Sequence, residues 1–316
     1  YVLDDEPVPF VVDGTQDVVT VTKYNTMQKG TISVHKEGEV FSHVAEAGGL
    51  YQPQYEVQGQ PGAVYDITAL EDIVTPDGVV HAKAGELVAT LTTGSDGTAT
   101  SEPLYLGRYQ VSERTAPAGM VLDSEPKEVT LAYAGQEVSV TTADVGFVNE
   151  RQKVEISLKK LLEHDETFSI GMNEEWKNIT FGLFAAEEIV AADGSSIPAD
   201  GLIETTGIDE NGNAAFKTDL PCGASLYVKE IGTDEHYLLS DEKYPVVFEY
   251  AGQDVDTVQL EVNDGEAIEN TLKYGKVSGW KVDQDGFELG GAVIGLFRFD
   301  ETEFTEETAL MVTESN

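Results

Sequence analysis

The chain has 316 residues, of which 41% are hydrophobic, enough for packed cores in two or more domains. Its formal net charge of −39 repels phosphate backbones and anionic lipid surfaces, which argues against nucleic-acid and membrane partners. Its one cysteine, Cys222, excludes a disulfide within the chain, and no apolar run reaches the roughly 20 residues of a membrane-spanning helix.

The sequence contains internal repeats. An Asn is followed by a Lys at the same spacing three times, in "NTMQKGTISVHK" at 25–36, "NERQKVEISLKK" at 149–160 and "NTLKYGKVSGWK" at 270–281. Likewise, "YAGQEV" at 133–138 returns as "YAGQDV" at 250–255. Such self-similarity predicts tandem modules. They are the last strands of a truncated preceding module at 1–29, complete modules at 30–150 and 151–274, and the first strands of a truncated following module at 275–316.

Taken in chain order, the modules have a β pattern. Alternating segments rich in β-branched and aromatic residues include "TISVH" at 31–35, "YDITA" at 65–69, "YQVSE" at 109–113 and "PVVFEY" at 245–250. Turn signals such as "SDG" at 95–97, "ADG" at 192–194 and "DENGN" at 209–213 separate them. We therefore predict an all-β protein made of tandem β-sandwich modules. No Gly/Ser or Pro-rich linker joins the modules, which predicts an elongated, stiff array.

The alternation places three lysines on core faces. In a strand, residues two apart share a face, so Ile32 and Val34 put Lys36 on the core side. Lys160 follows its own apolar alternation in the same way, whereas the neighbouring Lys159, a less favoured alternative, turns outward. Lys281 ends a weaker copy of the pattern.

Glutamate and asparagine side chains fall on core faces too. Glu113 is in line with Tyr109 and Val111, and Glu230 is in line with the apolar residues of its own strand. By the same count, Asn149 and Asn270 lie on the apolar face of the last strand of each module. Burying such groups without partners costs several kcal/mol, so each module needs a way to satisfy its Lys, Glu and Asn together.

Chemistry between the three groups offers that solution. Burial favours the neutral amine of a lysine and the protonated form of a glutamate. A neutral amine beside an Asn carboxamide can attack its carbon, while the protonated Glu polarises the carbonyl and transfers protons as ammonia leaves. The product is an intramolecular isopeptide bond, formed once per module and promoted by proximity after folding.

Several segments resemble a known family. "LGRYQVSERTAPAGM" at 106–120 resembles the Y-x-[VL]-x-E-x-x-A-P-x-G-Y signature of Cna B-type, or SpaA-type, repeat domains of Gram-positive surface proteins and pilins. "VYDITALEDIVTPDG" at 64–78 and "GGAVIGLFRFD" at 290–300 are similar to the second-strand motif of that family. The resemblance implies prealbumin-like (Ig-like) sandwiches, each with a Lys–Asn isopeptide bond promoted by a Glu.

Carried over to this sequence, the resemblance implies two reactive sets. The first module has Lys36, Glu113 and Asn149, and the second has Lys160, Glu230 and Asn270. The second module keeps its Glu but departs from the signature, with "EIGTDEHYLL" where E-x-x-A-P-x-G-Y is expected. The predicted protein is a structural stalk segment of a cell-wall-anchored bacterial surface protein, located outside the cell.

Two further positions are unpaired candidates for the same bond. Asn25 and Lys281 each begin or end a copy of the repeat, and the partner position of each falls outside the sequence. A hybrid module built from both ends would lack the Glu-bearing strand. We therefore expect both residues to stay unlinked and both end segments to be less well packed than residues 30–272.

Other kinds of chemistry find no support in the sequence. The five histidines have no metal-ligand spacing, so we predict no metal and no cofactor. A glycosidase would need two carboxylates across an open cleft, and no aromatic-rich loop marks a sugar site. Apart from the single-turnover bond formation, the chain is predicted not to be an enzyme.

The main alternative is a ligand-binding adhesin. Loops such as 42–62, long and rich in Tyr and Gln, would then bind a host protein or glycan. The predicted partners are the neighbouring modules of the same protein, with a host or matrix ligand left open. "KYPV" at 243–246 reverses the order of the Y-P-K motif of sortase-linked pilins, so polymerisation into pili is not supported.

Overall fold

The computed structural model describes residues 1–15 and 18–316 and confirms an all-β architecture of tandem sandwiches. The first sandwich contains β1 Lys29–Ala47, β2 Leu50–Gly59, β3 Val64–Ala69, β4 Ile73–Val74, β5 Val80–Ala82, β6 Leu87–Thr92, β7 Thr98–Thr100, β8 Leu104–Tyr105, β9 Gly107–Thr115, β10 Lys127–Leu131 and β11 Val140–Asn149. The second contains β12 Lys153–Leu162, β13 Thr180–Ala185, β14 Ile189–Val190, β15 Ser196–Ile197, β16 Leu202–Gly207, β17 Asn213–Phe216, β18 Ser225–Gly232, β19 Tyr244–Val247, β20 Thr257–Glu261 and β21 Ile268–Asn270. Short 3-10 turns lie at Glu175–Asn178 and Val262–Gly265, and the hairpin β22 Val293–Leu296 and β23 Met311–Glu314 follows.

Each sandwich packs two sheets around its own apolar core. In the first, the sheet β11-β1-β2, with β7 and β8 also on β1, faces the sheet β10-β9-β3-β6. In the second, β17-β12-β20, with β21 also on β12, faces β16-β13-β18-β19. The core residues form two separate clusters, one around Ile32, Tyr65 and Phe147 and one around Ile156 and Phe181. The module boundaries themselves stay predictions.

The first and last strands of each sandwich are parallel neighbours. β1 pairs with β11, and β12 pairs with β20 and β21, all in parallel ladders. Parallel strands need a long crossover between them, which here is the rest of the sandwich. The chain therefore enters and leaves each sandwich through adjacent strands.

The segment predicted as a loop at 42–62 is instead mostly a β-hairpin. β1 continues to Ala47 and returns as β2 through Gly48 and Gly49, whose positive φ angles of 62° and 82° suit a tight hairpin turn. The hairpin contacts the second sandwich, where the Val44 amide donates to Ser195 Oγ at 2.9 Å. Val44 also packs, with Tyr51, against the second core. The binding-loop prediction missed this hairpin because its packing partner lies in another module.

The junction between the sandwiches is centred on Arg151, two residues after β11. Its guanidinium lies 3.4 Å from the centre of the Tyr55 ring, pairs with Glu39 at 3.2 Å and also pairs with Asp219 of the second sandwich. A stacked and paired arginine at a buried position holds its neighbours in one geometry. The β1–β2 hairpin and Arg151 together connect the two sandwiches by direct contacts at the point where the chain passes from one to the other.

The two ends differ from the sandwiches. No strand lies among the described residues before Lys29, although the sequence pattern predicts strands there, because an extended segment needs a neighbouring strand to pair with. The Leu3 amide donates to the Gln136 carbonyl at 2.7 Å. The Leu122 amide donates in the same way to the Gln253 carbonyl at 2.9 Å, so the segment before the first sandwich contacts it as the first sandwich contacts the second. Toward the other end, Trp280 is 81% exposed. Within the described ranges, no helix is long and apolar enough to cross a membrane.

Candidate functional site

The first candidate site lies between the two sheets of the first sandwich. In the parallel ladder of β1 and β11, Lys36 is opposite Phe147 and Gly38 is opposite Asn149. Lys36 and Asn149 are therefore diagonal neighbours on the core face of adjacent strands. Glu113 reaches the same point from β9 in the facing sheet. The structure thus brings together three residues that are widely separated in the sequence.

Glu113 is the centre of this first site. Lys36 Nζ lies 3.7 Å from Glu113 Oε1, and both side chains have no exposed area. Asn149 Nδ2 donates to Glu113 Oε2 at 2.7 Å, the Asp123 amide donates to the same oxygen at 2.9 Å, and the Tyr65 hydroxyl donates to Oε1 at 3.1 Å. Within the described part of the chain, Lys36 Nζ and Asn149 Oδ1 have no hydrogen-bond partner.

The second candidate site repeats the arrangement with shorter contacts. Lys160 is opposite Ile268 in the β12–β21 ladder, so Asn270 again stands diagonally across from the lysine. Lys160 Nζ donates to Asn270 Oδ1 at 2.6 Å and to Glu230 Oε2 at 3.4 Å. Asn270 Nδ2 donates to Glu230 Oε1 at 2.6 Å and to Thr233 Oγ1 at 2.9 Å. All three members of this set contact one another.

Burial sets the electrostatics of both lysines. Desolvation lowers the pKa of Lys36 from 10.5 to about 8, and the opposing attraction of Glu113 offsets only part of that shift. Desolvation also lowers the pKa of Lys160, again against the attraction of Glu230. Burial, reinforced by Glu113, raises the pKa of the Tyr65 hydroxyl, which keeps it a neutral donor. Lowering the pKa of an amine increases the fraction that is a nucleophile at neutral pH.

The pKa of Lys36 predicts a pH dependence of stability when the amine stays unreacted. In an Asn149→Ala variant, the folded state holds Lys36 with a pKa of about 8, while the unfolded state keeps 10.5. Between these values the unfolded chain binds more protons, so the unfolding free energy should rise as the pH increases from about 8 to 10.5. Urea unfolding across this window measures the slope.

The control for this prediction is the double variant Lys36→Met, Asn149→Ala, which lacks the amine. Other groups titrate equally in both proteins, so only the difference between their slopes reports Lys36. Equal slopes for the two proteins would contradict the lowered pKa.

Two turn glycines pack against the backbone of Lys36 and Lys160, and the sequence analysis did not identify them as site residues. The amides of Lys36 and Lys160 donate to the carbonyls of Gly97 and Gly212, each at 2.7 Å. Both glycines have positive φ, and a Cβ on them would lie 2.3 Å from the Lys36 carbonyl oxygen or 2.1 Å from that of Lys160. The sequence predicts turns at "SDG" and "DENGN", but it does not predict that these turns lie against the two lysines. Tyr65 and Thr233 were also missed, since neither has a signature of its own.

The remaining sequence candidates lie outside these two sites. Lys159 is exposed, as its outward alternation predicts, and Asn25 and Lys281 are exposed as well. Cys222 is a free, exposed thiol. Among residues 1–15 and 18–316, no group of three or more His, Cys, Asp and Glu residues is placed to hold a metal ion.

Comparison with known proteins supports the class of domain. Residues 56–145 match the family model "SpaA: Prealbumin-like fold domain", which confirms the resemblance seen in the signature of the first module. That segment is therefore similar to SpaA-type, prealbumin-like domains. No curated protein matches the chain in sequence.

One solved structure supports the fold beyond that segment. The chain is similar to the Bacillus anthracis TIE protein with a TM-score of 0.52 and 18% identity, over 92% of this chain and 42% of that one. It therefore spans less than half the length of that protein. Weaker matches are GBS52, the minor pilin of Streptococcus agalactiae (TM-score 0.27, 16% identity, 79% of this chain and 99% of that one), and the shaft pilin SpaA of Lactobacillus rhamnosus GG (0.26, 13%, 79% and 100%). The first similarity establishes a shared fold.

Proposed function

We propose that the chain is a structural stalk segment of a cell-wall-anchored bacterial surface protein, located outside the cell, with an autocatalytic Lys–Asn isopeptide bond in each complete module. The bonds join Lys36 to Asn149 and Lys160 to Asn270. The observation that carries the proposal is the second site, where the Lys160 amine lies 2.6 Å from the Asn270 carboxamide oxygen in a buried pocket. Glu230 contacts both groups there.

The reaction balances with these three side chains alone. The Lys160 ammonium passes a proton to Glu230, and the neutral amine forms a bond from Nζ to Cγ of Asn270. Glu230, now protonated, returns a proton to Nδ2, and the Cγ–Nδ2 bond breaks to release ammonia. Glu230 then takes the second proton from Nζ and passes it to the ammonia, which leaves as ammonium, so that Glu230 ends as it began. The product is a neutral secondary amide, so no charge stays buried on either reactant. Holding amine and carboxamide in contact replaces a bimolecular encounter by an intramolecular step.

The strand order explains what the bonds contribute to a stalk. A pulling force enters the first module through β1 and leaves through β11, and these are adjacent parallel strands. A covalent bond between Lys36 and Asn149 carries that force directly from one strand to the other. The chain between the linked residues, which includes the entire facing sheet, is then shielded from extension. Lys160 and Asn270 do the same for the second module across β12 and β21.

The proposal predicts the mass of the intact chain. Each bond expels one ammonia, so mass spectrometry of the recombinant protein should show a deficit of two ammonias. Proteolytic digestion should then yield two branched peptides, one joining Lys36 to Asn149 and one joining Lys160 to Asn270. Asn149→Ala serves as the control, because it should remove one ammonia loss and one branched peptide only. A mass equal to that of the plain sequence would refute the proposal.

A further inference from the structure

The two candidate sites differ at one equivalent position. Tyr65 is opposite Glu113 in the ladder between β3 and β9, and Phe181 is opposite Glu230 in the ladder between β13 and β18. Both rings are fully buried. The Tyr65 ring carries a hydroxyl that donates to Glu113 Oε1 at 3.1 Å, whereas the Phe181 ring carries none. The chain thus contains the same site once with a tyrosine and once with a phenylalanine opposite the glutamate.

The Tyr65 hydroxyl donates to Glu113 Oε1, the carboxylate oxygen that would accept the proton of Lys36. Glu113 Oε1 is the oxygen at 3.7 Å from Lys36 Nζ, a distance beyond a hydrogen bond. The other oxygen, Oε2, already accepts from Asn149 Nδ2 and the Asp123 amide. Tyr65 thus occupies one of the two lone-pair positions of Oε1, and Lys36 Nζ has no hydrogen-bond partner among the described residues.

The second site has no such competition. Among residues 1–15 and 18–316, Glu230 accepts side-chain hydrogen bonds only from Lys160, at 3.4 Å from Oε2, and from Asn270, at 2.6 Å from Oε1. A proton can therefore pass from Lys160 to Glu230 along an existing contact. In the first site, Lys36 Nζ must approach Glu113 Oε1 from 3.7 Å beside the Tyr65 hydroxyl that already donates to this oxygen.

We propose that Tyr65 is a positioning residue that competes with Lys36 for Glu113 Oε1, so that the first module forms its isopeptide bond more slowly than the second. This inference rests on the isopeptide function proposed above. It assigns an order to the two reactions: the second module is linked first, and the first module passes through a folded but unlinked state. Tyr65 acts through Glu113 and takes no part in bond making.

A time course of cell-free synthesis of the full chain tests this order. Samples are quenched in acidic denaturant and digested, and the branched peptides of each module are counted against their unlinked forms. Tyr65→Phe should accelerate linkage of the first module about tenfold, the factor expected from one lost hydrogen bond to a charged carboxylate, and should leave the second module unchanged. Phe181→Tyr should slow the second module by a similar factor. In each variant, the linkage rate of the unaltered module serves as the internal reference.

The outcomes separate this inference from the function on which it rests. Absence of branched peptides from both modules at all times would refute the isopeptide proposal itself. Linkage of both modules with equal rates in the unaltered chain, or a first module that Tyr65→Phe slows or leaves unchanged, would overturn the role of Tyr65 alone. A purely structural Tyr65 would slow the reaction when altered, so acceleration distinguishes the two roles. An unchanged rate in Phe181→Tyr overturns the inference by itself, even if Tyr65→Phe fails to fold.

Discussion

Glu113→Ala is expected to leave the first module folded but unlinked, and to lower its free energy of unfolding by about 4–5 kcal/mol. The proposed bond would close a loop of roughly a hundred residues. By analogy with a disulfide, its loss returns conformational entropy to the unfolded chain and so stabilises the unfolded state. Glu113→Ala removes the carboxylate that lies 3.7 Å from Lys36 Nζ and accepts from Asn149 Nδ2, and with it the proposed proton shuttle. Calorimetry should show one transition at lower temperature, and intact mass should show the loss of one ammonia instead of two.

The matched control for this prediction is Glu230→Ala in the second module. Each variant should abolish one branched peptide, lower one transition and expose one module to protease, while the other module keeps its bond. Ammonia loss that persists in the first module of Glu113→Ala would show that the assigned role of Glu113 is wrong. Destabilisation of the first module with both ammonia losses retained would mean that Glu113 acts only through packing.

Gly212→Ala is expected to destabilise the second module by about 3 kcal/mol and to impair its linkage. Gly212 has a φ of +80°, where a side chain costs roughly 1–2 kcal/mol. The new Cβ would also lie 2.1 Å from the carbonyl oxygen of Lys160, so the turn or the strand must shift. Lys160 is thereby displaced from Asn270, and the short contact of 2.6 Å between their side chains is lost. Chemical denaturation and the yield of the branched peptide measure both effects.

Gly194→Ala separates these two contributions. Gly194 also lies in a turn of the second module with a φ of +87°, but a Cβ there meets no atom within 4 Å. Gly194→Ala should therefore lower the free energy of unfolding only by the roughly 1–2 kcal/mol that a side chain costs at positive φ, and it should leave the linkage intact. Equal destabilisation by the two variants, with full linkage in both, would show that close packing of Gly212 against Lys160 is unimportant.

The sequence alone determined which side chains the strands bury. Alternation along a strand is a local property, so counting by two from Ile32 and Val34 placed Lys36 on the core face, where it is 1% exposed. The same count placed Glu113, Asn149 and their counterparts in the second module, all of them buried. The repeats and the signature motif identified the kind of domain, because a module copied in tandem keeps its core-facing positions in register.

Only the tertiary structure decided how these side chains meet. The parallel register that sets Asn149 diagonally across from Lys36 joins strands at opposite ends of a module, and no local pattern encodes that pairing. The docking of the β1–β2 hairpin on the second sandwich and the hydroxyl of Tyr65 on Glu113 are likewise contacts between distant segments. Local alternation states which face a residue occupies, whereas the partner it finds there depends on how complete sheets pack against each other.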